Sequence, residues 1–114
     1  MTTIYNDGNR RVARLGTPTA GGAFASYGVY ESDSIDPLAT IYFQPDTIPN
    51  VGVVGNTNET LISMVIDRLE CFQASQFSCA ENQFALENLK EALNCLEERT
   101  RNRQQRGVEG THEA

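Results

Sequence analysis

The 114-residue chain has no tryptophan, a single histidine, a single lysine, three cysteines and no long apolar run. Each shortage excludes something. His112, close to the C-terminal end of the sequence, leaves no Ser–His or Cys–His pair to activate a nucleophile. Glu97 with Glu98, and Glu87 with Glu91, fall on helix positions that read as solvated faces, and Gly107 to Gly110 lacks the following lysine of a nucleotide-hydrolysing loop. The sequence therefore nominates no catalytic residue and no cofactor. Cys71, Cys79 and Cys95 are odd in number and lack metal-ligand spacing, so neither a zinc site nor a disulfide framework is expected, and buried reduced thiols are. Nothing reaches the roughly 18 apolar residues of a membrane span, and residues 1–8 have neither the basic region nor the apolar core of a signal peptide. A soluble, intracellular protein is the expectation.

Positive charge is also scarce, with 9 Lys/Arg against 15 Asp/Glu and a formal charge of −6. That balance counts against DNA or RNA, whose binding depends on many cations spread along a groove. What cations exist are unevenly placed. Arg10, Arg11 and Arg14 lie near one end, Arg99, Arg101, Arg103 and Arg106 near the other, and only Arg68 and Lys90 between. Bringing the two groups together, within or between chains, would make a basic pocket for a small anion.

The chain changes character near residue 57, and one domain of 114 residues is expected, comprising a β-rich part (1–56), a helical hairpin (57–107) and a tail (108–114). The first part is rich in Gly, Pro, Thr and aromatic residues, with β-leaning runs at 11–15, 23–30 and 38–44 and a weaker one at 50–54. Gly21-Gly22, Asp36-Pro37, Pro45, Pro49 and Gly55 punctuate them. From Glu59 onward, Leu61, Ile62, Val65, Ile66, Leu69 and Phe72 step by threes and fours, which predicts a helix capped by Thr57 or Asn58. Ser78 with Glu81 reads as a capping box for a second helix over about 79–106, closed by Gly107 in the left-handed conformation. The fold class is α+β: a small, mostly antiparallel N-terminal sheet packed with a C-terminal antiparallel helical hairpin. A thin sheet and a hairpin leave apolar surface uncovered at this size, which predicts a homo-oligomer built on a dimer.

On the second helix the apolar stripe reads Asn82, Ala85 and Leu86, Leu89, Ala92 and Leu93, Leu96, then Arg99 and Arg103. Polar residues in register with leucines must meet a partner, water or a ligand. They either hydrogen-bond their own protein or form the walls of a pocket in which an Asn amide reads a base edge and an Arg fork grips phosphate. Phe72 would then offer a stacking face, or lie in the core.

Asn58-Glu59, Val-Ile-Asp-Arg-Leu-Glu (65–70), Phe72-Gln73, Phe-Ser-Cys-Ala-Glu-Asn (77–82), Glu-Ala-Leu (91–93), Leu96, Arg99-Thr100, Arg103 and Arg-Gly-Val-Glu-Gly-Thr-His (106–112) together resemble the phage Thoeris anti-defence sponges. These are relatives of the anti-CBASS cyclic-oligonucleotide sponges through a shared helical hairpin. The resemblance is strong over 58–112; earlier, only pieces such as Phe43-Gln44 and Gly52-Val53 match. It implies a phage- or prophage-encoded protein, in the cytoplasm of the bacterial host, that traps without degrading the glycocyclic ADP-ribose signal a Thoeris TIR enzyme makes from NAD. It further implies a ligand held between protomers, with Phe72 stacking on adenine, Asn82 bonding its edge, and Arg99 and Arg103 holding the pyrophosphate. Arg14 joins them as a ligand-site residue. A second site for cyclic di- or trinucleotides, on Arg106, Gly107, Gly110 and Thr111, and a dimeric or hexameric assembly are carried over in the same way. The competing class is a structural or adaptor homo-oligomer that binds no nucleotide.

Overall fold

The computed structural model describes residues 1–114, which form two compact units, Met1–Asn56 and Thr57–Ala114. The fold is α+β. In the first unit, strands β1 (Thr2–Asn6), β2 (Arg10–Leu15), β3 (Ser26–Glu31) and β4 (Pro37–Tyr42) form an antiparallel meander in chain order. β1 had no counterpart among the β-leaning runs, although Thr, Ile and Tyr before an Asp-Gly turn carry a strand signal. The turn is built by side chains. Asn6 Oδ1 accepts from the Gly8 amide, and Asp7 Oδ1 accepts from the amides of Arg10 (2.7 Å) and Asn9 (2.9 Å). Those two amides, Arg10 first, hold the Asp7 carboxyl below its ordinary range.

The small core of this unit depends on a missing side chain. Gly28 pairs with buried Ala13, and the Tyr30 ring lies where a Gly28 Cβ would stand, with ring atoms at 2.5–2.7 Å from that position. Arg11 lies over the same ring at 4.2 Å and donates from Nη2 to the Ser34 carbonyl at 2.9 Å. Gly28, Tyr30 and Arg11 thus form one cluster across β2 and β3.

The weak run at 50–54 is not a strand. Pro49 denies the ladder a donor, and a single helical turn, α1 (Ile48–Val51), forms instead, ended by Gly52 at φ 77°. Gln44 closes this loop: its Nε2 donates to the carbonyls of Asp46 (3.0 Å) and Gly52 (2.6 Å), and its Oε1 accepts from the Val54 amide (3.1 Å). Phe43-Gln44 and Gly52-Val53, distant pieces in the sequence comparison, thus meet in one joint.

The second unit is an antiparallel pair, α2 (Asn58–Gln73) and α3 (Ala80–Gln105). Thr57 caps α2 with a reciprocal Thr57/Thr60 box. The cap of α3 departs from the Ser78/Glu81 expectation: the N-cap is Cys79, whose Sγ accepts from the Asn82 amide at 3.4 Å. Gln73 places it there, accepting from the Cys79 amide and donating to the Cys79 carbonyl, both at 3.0 Å. All three cysteines are exposed, correcting the expectation of buried thiols. No helix is long and apolar enough to cross a membrane.

Residues turned inward recur with a coiled-coil spacing of four and three: Ile62, Ile66, Leu69 and Gln73 on α2, and Asn82, Leu86, Leu89, Leu93, Leu96, Thr100 and Arg103 on α3. Only Ile66, Leu86 and Arg103 of this unit are buried, so the seam is thin, with Leu61 and Ala92 half-buried at its margin.

Candidate functional site

The seam has two polar ends, and they differ. At the tail end, α3 stops in a Schellman motif. Gly107, at φ 72°, donates to the Gln104 carbonyl (3.1 Å) and Val108 to the Arg103 carbonyl (3.0 Å). The tail then folds back onto Arg103, which is only 6% exposed. Nη1 of Arg103 donates to the Glu113 carbonyl (2.6 Å), Nη2 to those of Val108 (2.9 Å) and Thr111 (3.2 Å), and Nε pairs with the Glu109 carboxylate at 3.3 Å. Three of the five guanidinium donors are consumed by the chain's own carbonyls, and the Nε side faces the Glu109 carboxylate.

Arg99, placed on the apolar stripe by a straight 3.6-residue reading, is off the seam and exposed. A heptad step from Leu96 reaches Thr100, whose Oγ1 donates back to the Leu96 carbonyl at 3.3 Å. The remaining tail residues are also engaged internally. Arg106 Nη2 donates to the Ala114 carbonyl (2.6 Å), and Thr111 Oγ1 to the Val108 carbonyl (2.5 Å). Gly110, at φ 78°, shapes the turn between them.

At the turn end a cavity of about 420 Å3 opens, lined by Asp67, Arg68, Cys71, Phe72, Ser75 and Phe77. Phe72 is 37% and Phe77 63% exposed. The turn is held so that both rings reach the cavity: Ser75 Oγ donates to the Phe72 carbonyl (2.7 Å) and accepts from the Phe77 amide (3.1 Å). Asn82 stands on the first turn of α3, partly exposed, with its amide bound to the Cys79 cap. Phe72 and Asn82 therefore belong to the same end of the hairpin. Arg68 was not singled out from the sequence as a site residue. Its guanidinium lies 5.6 Å from the Phe72 ring centroid, one helical turn earlier, and this i, i+4 Arg–Phe spacing on one face was the available signal.

Asn82 and Arg99 are seventeen positions apart on one straight helix, about 25 Å at 1.5 Å per residue. A small ligand cannot touch both in one copy. Arg14 belongs to the sheet unit, where its guanidinium lies 4.9 Å from the Phe24 ring centroid.

A model of the Acb2/Tad1 hairpin-domain family matches residues 36–101, a stretch that includes Arg68, Phe72, Asn82 and Arg99 and stops short of Arg103 and the tail. Thoeris anti-defense 1 of Bacillus phage SBSphiJ7 is 52% identical over 81 residues, which cover 71% of this chain and 57% of that protein.

Proposed function

The chain belongs to the Acb2/Tad1 hairpin-domain family, and on that premise we propose that it is a phage anti-defence protein that binds and sequesters, without degrading, the glycocyclic ADP-ribose signal of Thoeris immunity in the host cytoplasm. The observation that carries this reading is the cavity at the hairpin turn, where two phenylalanine rings and a guanidinium converge. Rings take a nucleobase and a guanidinium takes a phosphate.

The separation along α3 favours a site shared between copies. Phe72 and Asn82 of one protomer would face Arg99 of another, in a dimer or a larger ring, and the narrow seam with exposed Met64, Val65 and Phe84 leaves apolar surface for such a contact. Arg14 is the sheet unit's candidate contribution. Arg103 acts indirectly, because its donors hold the tail. A second site for cyclic di- or trinucleotides on Arg106, Gly107, Gly110 and Thr111 would have to compete with the donations of Arg106 Nη2 to the Ala114 carbonyl and of Thr111 Oγ1 to the Val108 carbonyl, although both side chains are exposed.

The deciding experiment mixes the purified protein with the product of an active Thoeris TIR enzyme. A trap removes the signal from solution and returns it chemically unchanged on heat denaturation. Linear ADP-ribose appearing in proportion to protein would instead identify a hydrolase, and undiminished free signal an adaptor that binds no nucleotide.

A further inference from the structure

Six cations stand in the helical unit, and four are spoken for. Lys90 pairs with Glu70, Arg101 with Glu97 and Glu98, Arg103 with Glu109 and the tail carbonyls, and Arg106 with the Ala114 carbonyl. Arg68 and Arg99 have no carboxylate within 4.0 Å. In a chain with 15 acids and a net charge of −6, Arg68 combines the lack of a carboxylate partner with a place in the wall of the turn-end cavity. A guanidinium resting on a ring face keeps its in-plane N–H fork available, the geometry that grips an oxyanion through two parallel bonds. Asp67, on the same cavity wall, adds an acceptor for hydroxyl donors. An aromatic face, an unpaired donor fork and a carboxylate acceptor match, in turn, the base, phosphate and ribose of a nucleotide.

We propose that Arg68 is a phosphate-binding, specificity-determining residue of the turn-end cavity, selecting phosphorylated nucleotides over the corresponding nucleosides. This rests on the nucleotide-trap reading and assigns to Arg68 the phosphate contact for which Arg103 has no free fork.

The test compares full-length wild type, Arg68→Gln and Arg68→Lys by titration with glycocyclic ADP-ribose, AMP and adenosine, with thermal melting of each variant as the folding control. Loss of a charge-assisted contact lowers affinity about ten- to a hundredfold. Arg68→Gln is expected to lose that much for AMP and for glycocyclic ADP-ribose while adenosine changes less than about twofold, and Arg68→Lys, with charge but no fork, to fall between. An equal loss for adenosine would overturn the proposal, reducing Arg68 to a support for the Phe72 ring. Unchanged AMP affinity, or no AMP binding by wild type, would overturn it too. The sequestration reading fails separately, if wild type does not bind glycocyclic ADP-ribose.

Discussion

The hairpin presents an arginine near each end, and the two have opposite fates. Arg103 is buried, with three carbonyls and a carboxylate of its own chain around it, whereas Arg68 lies over a partly exposed ring with no carboxylate within 4.0 Å. One guanidinium has become part of the fold, and the other keeps its bonding capacity for something outside. Charge and helix position do not distinguish them. What distinguishes them is whether nearby carbonyls can converge, which at Arg103 is arranged by Gly107 and Gly110 turning the tail back.

This contrast can be broken most severely by moving the ligand contacts. Arg99→Ala and Asn82→Ala should each weaken glycocyclic ADP-ribose binding about ten- to a hundredfold, or roughly 1.5–3 kcal/mol, with little change in melting temperature. Because the two residues would serve one site from different copies, co-refolding the two variants should regenerate about a quarter of the sites in a two-fold dimer, counted by calorimetric stoichiometry. No recovery would place both residues in sites of a single copy and remove the inter-protomer arrangement.

A second test acts on the buried arginine. Arg103→Ala removes the side-chain donor from the carbonyls of Thr111 and Glu113 and one of several donors from that of Val108, at a cost of about 1–3 kcal/mol. Its signature is local: faster hydrogen exchange at the tail amides and cleavage of the tail by protease, with ligand affinity changed less than by Arg99→Ala. A variant with an intact tail but lost binding would return Arg103 to the ligand site. The smallest effect belongs to Arg101→Ala. Arg101 pairs with Glu97 and Glu98 on the exposed face, and its removal should shift stability by less than about 1 kcal/mol and affinity within about twofold. A larger change would mean that this face is covered by another copy.

Much of the fold was legible in the sequence because the signals were local. The Thr57 cap, the left-handed Gly107 and strands β2 to β4 follow from caps, turns and alternation within a few residues. Of the α3 stripe, Asn82, Leu86, Leu89, Ala92, Leu93, Leu96 and Arg103 are at least partly buried as read, while Ala85 and Arg99 are exposed, since a straight helix and a coiled-coil seam diverge along the helix. That drift moved Arg99 out of the seam and put Thr100 in. Cys79 displaced Ser78 as the cap because Gln73, six residues earlier on the preceding helix, fixes the Cys79 backbone, a contact outside the four-residue capping-box pattern. The candidate site was half legible: Phe72 and Asn82 share the turn end, while the commitment of Arg103 depends on carbonyls up to ten residues away.

The Gln44 joint has a consequence for which substitutions the loop can accept. One primary amide reads the loop in both senses, giving hydrogens to Asp46 and Gly52 and taking one from Val54. Glutamate has nearly the same shape yet would turn a negative oxygen toward two carbonyls. Here the conservative-looking replacement is the harmful one, and spontaneous deamidation of this single side chain would unfasten the segment without altering any apolar residue in it.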